Sequence, residues 1–196
     1  MTMVEPTPPS ASRHDLELVA FAVAGGRAAF GELVRRHGSA VRALLRRMGA
    51  DPAMADDLAQ DAFLTAFEQI AEFRGEGTFL SWVKRIAARL YVKRWRKESR
   101  LESLADAPDV EDAAAEHGPA VGDLIDLDEA LRSLSGPERL CVSLCYGAGL
   151  SHAEAAAALN TPLGTVKSHV KRGMDKLRTQ LSASRGVSGV ESRVNG

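Results

Sequence analysis

Apolar residues along this chain recur at helical rather than strand spacing. Phe30, Leu33, Val34, Val41, Leu44, Leu45 and Met48 mostly follow intervals of three, four and seven, which puts them on one face of a helix that Gly49 is suited to stop. Asp51 followed by Pro52 reads as an N-cap with proline in the first helical position, where its missing N–H costs nothing. The helix it opens extends to about Ala71. The polar, two-glycine stretch Phe73 to Thr78 (FRGEGT) is a loop, and from Thr78, a candidate cap, Phe79, Trp82, Val83, Ile86 and Leu90 carry a third helix toward Arg100.

The periodicity fades between Leu101 and Asp128 and then returns. Leu127, Leu131 and Leu134 begin a helix that Gly136-Pro137 interrupts, and Leu140, Cys141, Leu144 and Cys145 form the apolar face of the next, which Gly147 and Gly149 end. Ser151-His-Ala-Glu154 has the spacing of a capping box, and its helix ends near Leu159. Thr161-Pro162 repeats the cap-plus-proline device ahead of a helix with Val166, Val170, Met174, Leu177 and Leu181 on its apolar face. Two capped helices about three residues apart read as helix-turn-helix.

Charge changes the picture more than composition does. The 196 residues carry 25 Lys plus Arg against 26 Asp plus Glu, a net charge of -1. By segment the balance is +5 over Ala28 to Arg100, -9 over Leu101 to Asp128 and +3 over Glu129 to Leu181. Two basic blocks flank a purely acidic one, the asymmetry expected of a chain whose parts meet polyanions. An apolar fraction of 45% is too high for wholesale disorder. The longest apolar runs fall far short of the ~20 residues a membrane span needs. The start, MTMVEPTPPSASRHD, has no apolar stretch behind a basic one, so no secretory signal is read, and two cysteines make no disulfide framework. A soluble protein with a cytoplasmic address is the expectation.

The chain has no GxGxxG, P-loop, HExxH or GxSxG pattern, so no enzymatic activity, catalytic residue, metal site or cofactor is expected. Cys141 and Cys145 are either small apolar core residues or, with His152 as the nearest further ligand, part of a redox or metal site. The last helix projects Thr165, Lys167, Ser168, Lys171 and Arg172 away from its Val166/Val170 face, a set of donors fit for a major groove or a phosphate. The third helix carries eight cations from Lys84 to Arg100 against Glu98 alone, and Arg85, Arg89, Lys93, Arg96 and Arg100 form a stripe that could follow a phosphate backbone. Trp82 belongs with the core set. Tyr91 and Trp95 either stack on unpaired bases or cover the domain's edge.

DDLAQDAFLTAF (Asp56 to Phe67), FRGEGTFLSWVKRIA (Phe73 to Ala87) and LSHAEAAAALNTPLGTVKSHVKRGMDKLR (Leu150 to Arg178) together resemble a bacterial sigma factor of the extracytoplasmic-function (ECF) class in the sigma-70 family. The resemblance spans most of Phe30 to Leu181. It implies an alternative sigma factor, all-α, whose two small helical domains, sigma region 2 and sigma region 4, are joined by a flexible acidic linker. The implied division is a disordered tail over 1–14, region 2 over 15–100, the linker over 101–128, region 4 over 129–182 and a disordered tail over 183–196.

By the same resemblance, Asp57, Gln60, Asp61 and Leu64 dock on the clamp helices of the polymerase largest subunit, with the flap region as a further contact. Arg85, Arg89, Lys93, Trp95 and Arg96 lie in the segment that melts and captures the minus-10 element of promoter DNA. Thr165, Lys167, Ser168, Lys171 and Arg172 read the minus-35 duplex, and the acidic linker threads toward the polymerase active-site cleft. Arg89 stands where many relatives carry asparagine, and Lys171 where some carry a large apolar or aromatic residue. An anti-sigma factor is an implied partner. The alternative is a stand-alone helix-turn-helix regulator whose N-terminal helices dimerise or sense a ligand.

Overall fold

The structure, a computed structural model, describes residues 14–104 and 123–188, with side chains described over 14–98 and 127–182. The N-terminal half consists of α1 (Asp15–Val23), α2 (Arg27–Met48), α3 (Pro52–Glu68), a 3-10 turn (Ile70–Glu72) and α4 (Phe79–Leu104). After it come α5 (Asp123–Arg132), α6 (Gly136–Val142), a π-helical turn (Ser143–Gly147), α7 (His152–Leu159) and α8 (Leu163–Ser188). Among the described residues no strand occurs, and no helix is long and apolar enough to cross a membrane.

Local signals set most of these boundaries. Gly49, in the left-handed region at φ 117°, ends α2, and a Cβ there would stand 3.0 Å from the Tyr91 hydroxyl. Asp51 Oδ1 accepts the Met54 N–H at 2.9 Å with Pro52 opening α3, and Thr78 Oγ1 accepts the Ser81 N–H at 3.1 Å at the start of α4. The capping box at α7 closes in both directions: Ser151 N–H donates to Glu154 Oε2 at 2.8 Å, and Glu154 N–H to Ser151 Oγ at 3.2 Å.

Some expectations need correction. Thr161 does not cap α8: its hydroxyl donates to the Leu159 carbonyl at 3.4 Å, and Pro162 O receives the Thr165 and Val166 N–H groups instead. Asn160, left-handed at φ 53°, ends α7 so tightly that Thr161 still belongs to the turn. α4 runs to Leu104 and α5 begins at Asp123, so helix occupies both ends of the segment 101–128. Leu101-Glu-Ser-Leu104 contains no breaker, and the acidic residues of Asp123-Leu-Ile-Asp126 suit a helix N-terminus. α8 likewise continues past 182 to Ser188, through a stretch without proline. The middle of the linker and the two tails, over 1–13 and 189–196, lie outside the described residues.

In the N-terminal half an aromatic cluster fixes the loop before α4. Phe79 makes edge contacts with Phe30 and Phe73 at centroid distances of 6.3 and 6.0 Å, and Trp82 lies 5.3 Å from Phe73. Edge-to-face rings at these separations add to plain burial. Tyr91 is buried and donates to Met48 O at 3.0 Å, so it belongs to the core rather than to a base-stacking surface. Burial pushes its phenol up to about 12.

The two halves pack against each other. A single contiguous core holds Leu44, Met48, Ala88 and Val92 from the first half together with Cys141, Leu144, Ala148, Leu150 and Leu159 from the second. A smaller cluster (Ala130, Leu131, Leu134, Val142 and Leu177) ties α5, α6 and α8 together. The π turn lies where the halves meet: Ser143 Oγ donates to Arg47 O at 3.4 Å, and a Cβ on Gly147 would come within 2.6 Å of Leu44 Cδ1.

Candidate nucleic-acid interface

α7, the turn Asn160–Pro162 and α8 form the helix-turn-helix, with Val166 and Val170 buried beneath it. Thr165, Lys167, Ser168, Lys171 and Arg172 are all exposed. They are not equivalent. Lys167 and Lys171, one turn apart, make no ion pair among the described residues. Ser168 donates its hydroxyl proton back to Gly164 O at 2.9 Å, which leaves it an acceptor. Arg172 is tethered, with Nε 3.5 Å from Glu138 Oε1 and Nη2 3.1 Å from His169 Nδ1.

Glu138 is the residue that sequence reasoning missed here. Its carboxylate is buried and receives Lys176 Nζ at 2.7 Å, the Arg172 contact and the Ser135 N–H at 3.3 Å, so it fastens the start of α6 to the middle of α8. The signal was present: Ser135 and Glu138 have capping-box spacing, with Pro137 in the first turn. The Lys176 hydrogen bond, reinforced by Ser135, holds the carboxyl below its ordinary value of 4.5. A depressed folded pKa contributes stability that is present above the unfolded pKa and is lost as pH falls through the folded one. Glu138→Gln is therefore expected to cost about 1–3 kcal/mol at neutral pH. It should also flatten the acid limb of a melting-temperature profile; a profile parallel to wild type would remove Glu138 from that role.

α4 carries the second basic surface. Arg85, Arg89, Lys93 and Arg96 are exposed along it, and Trp95 is 38% exposed beside them. Arg85 Nη2 donates to Gly149 O at 2.9 Å and Arg96 Nη1 to Ala158 O at 3.4 Å, both on the C-terminal half. Arg89 and Lys93 make no hydrogen bond or ion pair among the described residues. The Arg100 side chain lies outside them.

A third surface lies on α3. Asp57, Gln60, Asp61 and Leu64 share its exposed face. Gln60 and Leu64 also line an open groove of about 690 Å³ between α2 and α3, whose apolar floor includes Phe30, Phe63 and Phe67. Leu64 is 55% exposed and Phe67 39%. Phe67 was not singled out from the sequence, although it stands three residues beyond Leu64 on the same helix.

Both cysteines pack in the core where the halves meet. Cys141 is buried and Cys145 half-buried, and burial pushes the Cys141 thiol up to about 11, away from the thiolate a metal or redox site requires. No cluster of three potential ligands occurs among the described residues.

The family model for Sigma-70 region 2 matches residues 33–101, and that for Sigma-70, region 4 matches residues 130–179. The ECF RNA polymerase sigma factor SigM of Mycobacterium tuberculosis is 35% identical over 167 residues, covering 84% of this chain and 83% of that protein. This chain belongs to the ECF RNA polymerase sigma factors. The RNA polymerase sigma factor NccH of Alcaligenes xylosoxydans xylosoxydans is 33% identical to this sigma factor over 180 residues, 87% of this chain and 96% of NccH. SigE of Mycolicibacterium smegmatis is 35% identical over 159 residues, and this chain spans 61% of its length. Among solved structures, the sigma factor RpoE in complex with the anti-sigma factor NepR from Bartonella quintana aligns with a TM-score of 0.56 at 27% identity, covering 78% of this chain and 96% of that one. CnrH in complex with the cytosolic domain of CnrY aligns at 0.50 and 29%, covering 86% and 97%.

Proposed function

We propose that this sigma factor works in the cytoplasm as a non-catalytic subunit that docks on core RNA polymerase through α3 and its groove. It then reads the minus-35 duplex with α8 and captures the melted minus-10 strand along α4. One observation carries the reading: Lys167 and Lys171 stand unpaired, one turn apart, on the exposed face of the second helix of a helix-turn-helix. Lysine ammonium groups so placed suit the acceptor edge of guanine or a phosphate oxygen. Arg172, tethered to Glu138, is better suited to fixing the helix against the backbone. On α4, unpaired bases could stack on Trp95 while Arg89 and Lys93 follow the phosphates.

An anti-sigma factor is the proposed regulator, since RpoE of Bartonella quintana was solved in complex with NepR. The alternative of a self-sufficient repressor is not favoured, because membership of a sigma family supplies a reason for the basic α4 that repression does not.

Run-off transcription with purified core polymerase on a promoter library tests the whole proposal. The chain should direct initiation at a defined pair of elements. Tight duplex binding without core enzyme, together with no initiation anywhere, would overturn it. Lys167→Ala and Lys171→Ala are each expected to weaken initiation by about 1–3 kcal/mol and to shift the preferred minus-35 bases. A loss uniform across sequences would make them phosphate contacts instead.

A further inference from the structure

A carboxylate, a guanidinium and an imidazole are linked on the side of α8 that faces α6. Arg172 and Lys176, neighbours one turn apart on that flank, both reach the buried Glu138 carboxylate, but not equally. Lys176 Nζ is 2.7 Å from Oε2, whereas Arg172 Nε is 3.5 Å from Oε1. The lysine therefore takes most of the carboxylate's charge, and the arginine, with its side chain 58% exposed, keeps its own. His169 fixes the far end of the guanidinium. Arginine has no acceptor, so Nη2 donates to His169 Nδ1 at 3.1 Å, and the proton of the neutral ring sits on Nε2. Half-buried His169 thus offers an Nε2–H donor one turn before Arg172. Both N–H groups on Arg172 Nη1 have no partner among the described residues.

A guanidinium pinned in this way presents its free edge as a fork, the geometry that matches two oxygens of one phosphate. It also loses less freedom on binding than an untethered side chain does. Lys167 and Lys171 lie on the other flank of α8. A helix seated in a major groove with those lysines toward the bases turns Arg172 and His169 to the groove wall, where the phosphates are.

We infer that Arg172 and His169 form a phosphate clamp on the minus-35 duplex, and that Glu138, outside the helix-turn-helix, is a positioning residue that aims it. This rests on the reading of α8 as the minus-35 helix. Phosphate contacts carry no sequence information of their own, but they fix the register in which a helix meets the bases. The base preference of Lys167 and Lys171 then depends on a carboxylate carried by α6.

The test uses holoenzyme assembled from core polymerase and the full chain, on a duplex carrying the strongest promoter recovered by run-off transcription. In a parallel set of duplexes each minus-35 phosphate is replaced in turn by an uncharged methylphosphonate. The parent should lose affinity at two neighbouring phosphates, one for Arg172 and one for His169. Arg172→Ala should bind about tenfold more weakly, lower the slope of log affinity against log salt by roughly one, and lose nothing further at its own phosphate. His169→Asn keeps an acceptor near the place of Nδ1, so it should keep the Arg172 phosphate and lose the other, whereas His169→Ala should lose both. Glu138→Gln, assayed at a temperature where circular dichroism shows it folded, should weaken binding about threefold and should add nothing to Arg172→Ala. An equal loss from Glu138→Gln in both backgrounds overturns its positioning role, and a methylphosphonate pattern unchanged by Arg172→Ala overturns the clamp. Lys167→Ala separates the clamp from the reading beneath it. If Lys167→Ala weakens binding and Arg172→Ala does not, the clamp fails and α8 still reads the duplex; if neither does, the reading of α8 is wrong and the clamp falls with it.

Discussion

Phe79→Ala is expected to destabilise the N-terminal helices by about 3–5 kcal/mol, the range for deleting a buried phenyl ring whose neighbours cannot collapse into the space. Phe79 is 1% exposed, and rings from two other elements surround it: Phe30 on α2 at 6.3 Å, His37 on α2 at 5.8 Å and Phe73 in the loop at 6.0 Å, with Trp82 a turn along α4 at 5.9 Å. It is also the first residue of α4, so its loss frees the end of the helix that bears the basic stripe. Domains of this size have only about 5–15 kcal/mol in total, so the variant should be largely unfolded at a denaturant concentration the parent tolerates. Urea unfolding followed by circular dichroism measures this, with Phe79→Leu expected to recover much of the loss because it refills most of the volume. A cost under about 1 kcal/mol would mean that the cluster is loose and that α4 is held by its packing on α3 instead.

What could be read from the sequence divides along a physical line. The caps at Asp51 and Ser151 and the left-handed stop at Gly49 depend on residues within four positions of one another, and the structure forms all of them. The Ser135 box was equally local but was hidden, because Gly136-Pro137 reads as a break when proline in a first helical turn is a start. The exposed donors of α8 were legible from their phase against Val166 and Val170. Their inequality was not, since the tether on Arg172 comes from Glu138, 34 positions back along the chain. Least legible was the union of the halves. Arg85 meets Gly149 across 64 positions and Arg47 meets Asp128 across 81, on apolar faces whose periodicity alone fits either a closed domain or a shared core. Tyr91 shows the same limit: its spacing allowed a base platform, and only the position of Met48 O decides for the core.

The groove on α3 carries the second large expectation. Replacing Leu64 and Phe67 together by alanine should weaken binding to core polymerase by about 2–4 kcal/mol, or roughly 30- to 1,000-fold, because apolar side chains that line a concave groove are where binding energy concentrates. Leu64 is well exposed, but Phe67 also packs edge-on against Phe30 at 4.9 Å, so the loss is assigned to docking only as far as the melting temperature stays near that of the parent. Asp57 and Asp61 offer a contrasting control on the same helix. Charges at a rim mainly steer encounter, so Asp57→Asn with Asp61→Asn should slow association and flatten its salt dependence while changing dissociation little. The apolar pair should do the reverse, speeding dissociation at every ionic strength. Titrating labelled core enzyme with each double variant at low and high salt separates the two. If the aspartate pair cost more than the apolar pair at about 1 M salt, where exposed charges are screened beyond about 3 Å, docking would be electrostatic and the groove would not be its anchor. The groove would then be left for an amphipathic helix of some other partner, and the polymerase-binding role would rest on the acidic face alone.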